Sequence, residues 1–528
     1  MRALDLAIIA VFLVGMPLLG IAIGGRQKSG NDYFVGEGKI SWWVACLSVV
    51  SAETSTLTVL SVPTVAYIAT PGAGGMTYLS LAIGYIAGRI VVSFVLLPRY
   101  VAGNLVTAYA FLGKRFGGGV QGTASVTFLL TRLLADGLRL FATAIPIKVV
   151  LGAYGLSVSY WIIVLALGIA MVIYSFFGGV RAVVWVDAIQ MLWYVLGGVA
   201  VIWVLSNELP DGWLTRAFDA NKFQILDFSS SPLTGQYAFV AALIGGAVLS
   251  MASHGSDQLI VQRLQATNDL REAKKALIAS GFVVFFQFAL FLFIGVMLWA
   301  FYNGLDPVKQ LGLGSNDELF ANFIVTELPS GLSGFVIAGI LAAALSSSLG
   351  ALASSTVTDV YERVIGRELS DTDRLKQGRI WTVIWAGLLI VFAGGFASFA
   401  SQSDPIVVQG LSITGYTYGA LLGAFLLGLM IKKARQRDAI IAFVSTVVVM
   451  GFVILGVKFD KTDGSVVGID FSKAAGDNVA LAFPWYTLLG VIITLIVGGL
   501  LSLRHKSDDP RYAQINAPEE PAATEPKA

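Results

Sequence analysis

The amino-acid sequence predicts an all-α polytopic membrane protein with about 13 transmembrane helices. Three observations carry that prediction. Of the 528 residues, 56% are hydrophobic and 13% charged, about half the charged share of a soluble domain, and mean hydropathy is +0.78. Apolar runs of roughly 20 residues, the length that crosses bilayer hydrocarbon, recur along the chain. Lysine and arginine also sort by loop. With the N-terminus outside, 24 fall on the cytoplasmic side and 7 on the external side, the asymmetry that sets orientation. A multi-pass protein of the cell membrane with a cytoplasmic C-terminus is expected.

In order, the spans fall near 3–23, 41–69, 75–97, 121–151, 158–177, 184–205, 238–257, 276–302, 319–359, 379–400, 404–430, 438–457 and 482–503. The first ends in Gly24-Gly25-Arg26 without a small-residue cleavage site, so it reads as a retained helix. The run at 319–359 is too long for one straight helix and includes an external lead-in. Residues 1–505 read as one transmembrane domain, and the Pro-, Glu- and Ala-rich 506–528 as a disordered tail. The single cysteine, Cys46, excludes an internal disulfide, and His254 and His505 are too few for a zinc-protease pair. There is no P-loop for ATP, no nucleophile–base pairing for an intramembrane enzyme, and at net charge +2 no basic excess for nucleic acid.

The second span carries Ser51-Ala52-Glu53-Thr54-Ser55-Thr56-Leu57-Thr58, six hydroxyl or carboxyl side chains in eight residues. A carboxylate at mid-bilayer costs about 2.5–3.5 kcal/mol on insertion scales and marks a functional site by default. Pro63 removes a backbone donor and frees carbonyls upstream, which survive at membrane depth only facing protein, water or an ion. Two readings stand: a broken helix seating a small cation and a polar solute, or a hydroxyl-rich packing seam between helices. Farther on, Ala344, Ser347 and Ser348 share one helix face at i, i+3 and i+4, offering a carbonyl and two hydroxyls to a hard cation or, equally, packing glue.

Four basic residues fall inside spans. Lys148 reads as snorkelling outward, Arg132 as pairing with Asp136, and Arg89 as structural beside the packing glycines Gly84 and Gly88. Arg139 has two readings, an ion pair with Asp136 or Glu53, or a bidentate clamp on a substrate carboxylate. Asp187 follows the paired glycine Gly178-Gly179 as a carboxylate near the inner end of a span, where a helix N-terminal charge complementing the macrodipole is one reading.

Taken together, five stretches resemble the sodium/solute symporter family. They are Asp32-Tyr33-Phe34 before Trp42-Trp43; Gly178-Gly179 with Asp187 and Gln190; Asp257-Gln258 with Val261-Gln262-Arg263; the serine helix; and Gly415 to Gly428 with its repeated glycines. The resemblance covers about residues 30–430 and implies a LeuT-like 5+5 inverted repeat with two broken helices. The first repeat is about 41–205 and the second about 238–430, with helices 3–23, 438–457 and 482–503 outside them. It implies one sodium ion held by Ser51, Thr54, Ala344, Ser347 and Ser348, with Glu53 and Asp187 as associated acids. Gly350 and Ala351 stand where members with a second sodium carry hydroxyls, which argues against that second ion. It places the substrate against Ser55, Thr58, Arg139, Ser250, Ser253, Gln409 and Ser412.

The expected function is therefore sodium-coupled import of a small organic solute by alternating access. A carboxylate-bearing solute is favoured: an amino acid, a monocarboxylate or an acidic sugar. An inward charge gains about 2.3 kcal/mol per 100 mV and a tenfold sodium gradient about 1.4 kcal/mol, together roughly 500-fold accumulation of a neutral or zwitterionic solute. A monoanion with one sodium loses the electrical part and reaches about tenfold, which favours a zwitterion or a second ion. The rival readings are a transporter-like solute sensor, a channel, and a symporter for a neutral sugar.

Overall fold

A computed structural model describes residues 3–514 apart from 26, 37–39, 55, 69–74, 102–104, 154, 346–347, 397–405, 462 and 472–477. Among the described residues the chain is mostly helical. A small three-stranded antiparallel sheet (order 466–469, 457–460, 478–479) follows the helix Gln436–Gly456. Seven helices are long and apolar enough to cross a membrane alone, and the pair Trp42–Glu53 and Thr58–Tyr67, bent by 60°, makes an eighth. The other expected spans correspond to helices that are shorter or carry charge, among them Leu79–Val95, Gly118–Ala153 and Tyr160–Ile173. Their interruptions and charges are what build the site, so a length-and-apolarity criterion passes over them.

The first break follows from local chemistry. Trp42–Glu53 ends at Thr54, whose φ −88° and ψ 87° leave the helix. The Thr54 hydroxyl donates back to the Val50 carbonyl, as serine and threonine do where they compete with the helical ladder. The chain resumes as Thr56–Tyr67 with Pro63 inside it. The helix Leu270–Phe301 packs across this outer half through Gly295, where an added Cβ would lie 2.1 Å from the Pro63 carbonyl oxygen. Glycine there lets two backbones meet, the usual device for close helix packing in lipid.

The second break is at 256–257. A π-turn, Ala241–Gly245, leads into Gly246–Gly255; Ser256 leaves the helix, and Asp257 caps Gln258–Gln265 by accepting from the Leu259 amide. This broken element lies on Leu79–Val95, where a Cβ at Gly88 would sit 2.2 Å from the Ala247 carbonyl. Two broken helices, one in each repeat, are what the LeuT-like architecture requires.

Two expectations are refined. The runs 158–177 and 184–205 are two helices that meet within Tyr160–Glu208 at Gly179, whose backbone (φ 60°, ψ −171°) is not helical. A glycine accepts that backbone without a Cβ penalty, so the paired glycine lets the two helices meet without a long connection. The run 319–359 divides into Glu318–Thr326, Leu332–Leu345, Leu349–Ser355 and a π-turn, Thr356–Glu362.

Candidate functional site

The two breaks and two further helices enclose a cavity, with an empty volume of about 810 Å³ including its mouth. The first broken helix supplies Ala52, Glu53 and Thr58, and Gly118–Ala153 supplies Arg132, Ala135 and Arg139. The second broken helix supplies Leu249, Ser253 and His254, and Ile406–Gly415 supplies Val407, Gly410, Leu411 and Thr414. Tyr78, Tyr85, Phe288 and Tyr418 complete an aromatic wall. A mostly apolar cleft with a few convergent polar groups is the usual form of a small-molecule site.

Three arginines and three carboxylates surround it. Arg89, fully buried, is ion-paired with Glu53 and donates to Ser280 Oγ at 2.7 Å; His254 Nε2 stands 3.6 Å from the same carboxylate. The expected structural role of Arg89 holds. Arg132 does more than pair with Asp136: its Nε donates to Asp257 at 3.0 Å, and the Tyr418 hydroxyl donates to the same oxygen at 2.6 Å, while Asp136 lies 3.5 Å away. Asp257 is thus a buried partner. Sequence spacing pointed to the i, i+4 neighbour, but the helix break 125 residues away presents a better-placed acid. Lys148 sits over the Tyr160 ring at 3.9 Å.

Of the two acids expected as partners of Arg139, Asp136 stands near the guanidinium and Glu53 offers its backbone carbonyl. The Arg139 guanidinium donates to the Ala52 carbonyl at 2.8 Å and the Glu53 carbonyl at 3.2 Å, with Asp136 at 3.8 Å. These are carbonyls at the end of a broken helix, where the last four lack intrahelical partners. A quarter of the Arg139 side chain remains exposed, to the cavity. Thr58 and Ser253 also line it. Ser250 and Ser412 point elsewhere: Ser250 Oγ donates to Tyr85 O at 3.1 Å and Ser412 Oγ to Val408 O at 2.9 Å. Ser55 and the Gln409 side chain lie outside the described residues.

On the other face of the first broken helix runs a polar ladder against Tyr160–Glu208. Ser48 Oγ donates to Asp187 at 3.1 Å at one level, and Thr54 and Tyr194 share a hydrogen bond at 3.1 Å at another. At the level between, Ser51 Oγ and both amide atoms of Gln190 are buried without a hydrogen-bond partner among the described residues. Gln190 and Tyr194 were not singled out as site residues; their spacing from Asp187, three and seven, was the available signal. Asp187 itself is fully buried and ion-paired with Arg263 at 2.7 Å. Ser348 is buried just before Leu349–Ser355, and Ala344 lies in the last turn of Leu332–Leu345. Ser347 lies outside the described residues.

The sodium:solute symporter family model matches residues 33–445. The chain is 26% identical over 503 residues to the sodium/sialic acid symporter NanT of Aliivibrio fischeri, covering 94% of this chain and 92% of that one. It is also 26% identical over 556 residues to the human sodium/iodide cotransporter, covering 95% and 83%. Its fold superposes on a substrate-bound, outward-open Na⁺-coupled sialic acid symporter with TM-score 0.81 at 22% identity, covering 96% and 99% of the two chains. The chain belongs to the sodium:solute symporter family, and it is a sodium-coupled solute transporter with a LeuT-like fold.

Proposed function

We propose that this symporter imports a small carboxylate-bearing solute with sodium. The observation that carries the reading is Arg139. It is partly exposed in the cavity and its fork geometry suits a carboxylate. The same guanidinium holds the Ala52 and Glu53 carbonyls, which lie between Ser51 and Thr54. The sodium ion takes the carbonyls of Ser51 and Thr54, the carbonyl of Ala344 and the hydroxyls of Ser347 and Ser348. A carboxylate drawn onto Arg139 is thereby felt at the backbone that binds the ion, and the reverse holds by linkage. Arg89, Arg132 and Arg139 balance Glu53, Asp136 and Asp257, so a bound carboxylate arrives in a neutral cavity and sodium supplies its counter-charge. Similarity to sodium/sialic acid symporters supports an acidic sugar or a related carboxylate.

One transmembrane domain spans 1–505, with repeats at about 41–205 and 238–430. The N-terminus faces outside and the C-terminus the cytoplasm. Asp187, committed to Arg263, acts on the ion at a distance and not as a ligand. The test is uptake into proteoliposomes under an inward sodium gradient across labelled acidic sugars, monocarboxylates, amino acids and neutral sugars. Sodium-dependent accumulation of a carboxylate, lost in Arg139→Gln, is expected. Uptake of neutral sugars alone, unchanged in Arg139→Gln, would refute the carboxylate reading. Binding without uptake would favour a sensor.

A further inference from the structure

The helix that continues from Ser348 ends in a second buried polar group, away from the cavity. Asp359 lies on the turn Thr356–Glu362 and is fully buried. Its Oδ1 accepts from Thr107 Oγ1 at 2.6 Å and from Gln121 Nε2 at 2.7 Å. Ser355, one turn earlier on the same helix, and Ser125, one turn after Gln121 on Gly118–Ala153, turn their hydroxyls towards the same carboxyl. Both serines are fully buried. Yet Asp359 Oδ2, Ser125 Oγ and Ser355 Oγ stay outside hydrogen-bond geometry with any described residue.

Every side chain named around this carboxyl is neutral. A buried carboxylate in that setting must be neutralised by a proton or by a cation. The arrangement favours the cation. Two donors fix Oδ1 and so aim the carboxyl, as outer partners orient the ligands of metal sites. Three hard oxygens are left without a hydrogen bond among the described residues, the donor type that suits hard cations. Oxygens that share an ion stand farther apart than oxygens that share a proton, which fits three buried oxygens close together without hydrogen bonds. Ser348, Ser355 and Asp359 are spaced by seven and four, a helix-face repeat, and Arg363 and Arg367 follow on the side of the basic loops.

We propose that Asp359 Oδ2, Ser125 Oγ and Ser355 Oγ hold a sodium ion at the basic-loop end of the serine helix, distinct from the ion at Ser348. The ion's identity rests on the symporter reading; the site's geometry does not. The site also differs from a second sodium at Asp187 and the positions of Gly350 and Ala351, where this chain lacks the hydroxyls.

The experiment is ²²Na⁺ binding to the purified full chain, with potassium as the balancing ion. Ser348→Ala is expected to keep one sodium per chain, and Ser348→Ala combined with Asp359→Asn none. Ser125→Ala with Ser355→Ala, in the Ser348→Ala background, should weaken the remaining ion at least tenfold. That pair leaves the acid and its two donors in place, so it covers the case in which Asp359→Asn does not fold. Equal sodium counts with and without Asp359→Asn would overturn the site. So would a neutral-carboxyl infrared band that disappears in Asp359→Asn while Ser348→Ala binds no sodium, because the group would then carry a proton. If Ser348→Ala kept the full native count, the serine-helix site would fail. Asp359→Asn alone would then decide this one, by binding one ion fewer than native or the same number.

Discussion

Glu53 is the residue on which the cavity's charge balance turns. Arg89 is fully buried against it, so Glu53→Gln strands a cation that water does not reach. Breaking a buried pair from one side costs about 3–5 kcal/mol. We expect a marked drop in the melting temperature of the detergent-solubilised protein, partly recovered when Arg89→Met is added; no drop would mean that the pair is not structural. Lys222, in the segment after the helix Trp213–Asp219, makes a second residue-scale case. Its Nζ donates to the carbonyls of Tyr67 at 2.9 Å and Ala66 at 3.3 Å, capping the outer half of the first broken helix. Burial pushes its ammonium down to about 8 from an ordinary 10.5. Between those values the unfolded chain holds a proton that the folded one has shed, so stability rises with pH there. Unfolding of native protein should show this slope from about pH 8 to 10, and Lys222→Met should lack it.

At the scale of elements, glycine decides which helices can approach the breaks. A Cβ at Gly295 would fall 2.1 Å from the Pro63 carbonyl oxygen, whereas one at Gly197 meets nothing nearer than 3.7 Å. Gly295→Ala is therefore expected to push Leu270–Phe301 off the outer half-helix and lower sodium-dependent uptake at least tenfold at equal surface expression. Gly197→Ala should stay within about twofold. Equal behaviour of the two would deny that close packing at the break matters. The first break was legible in the sequence because its cause is local, a run of hydroxyls of which Thr54 bonds back to the helix; Pro63 lies farther on, inside the resumed helix. The partnership of Arg132 with Asp257 was not, because 125 residues separate them and only the folded repeat brings them together. The break at Gly179 was legible as a glycine pair, but that the two helices meet there without a loop was not, since composition alone does not distinguish a turn from a bend.

For the whole molecule, orientation is the simplest consequence of the charge pattern. The single cysteine, Cys46, is buried, so a Cys46→Ala background suits labelling. In intact cells an impermeant maleimide should react with Lys309→Cys and, only after permeabilisation, with Lys433→Cys; both positions are exposed. The reverse pattern would invert the topology. Energetics also belong at this scale. One sodium concentrates a monoanion about tenfold, but two carry a net positive charge inward. With tenfold sodium and 100 mV that gives about 5 kcal/mol, several thousand-fold. If the Asp359 ion travels with the substrate, the drive for an acidic solute is accounted for.

Overall architecture and the broken, hydroxyl-rich stretch of the second span were readable because broken helices leave hydroxyls and charge where lipid forbids them. Cavity walls were less so. Ser250 and Ser412 carry the right chemistry at nearly the right positions, but their helices turn the hydroxyls onto backbone carbonyls instead of the cavity.

Linkage between Arg139 and the ion at Ser348 is the centre of this account, and solute binding to the purified protein with and without sodium tests it most directly. Once a carboxylate ligand is in hand, its affinity should rise at least tenfold with saturating sodium, and both Ser348→Ala and Arg139→Gln should abolish that rise. A ligand bound equally well without sodium, or a sodium effect that survives both substitutions, would contradict it.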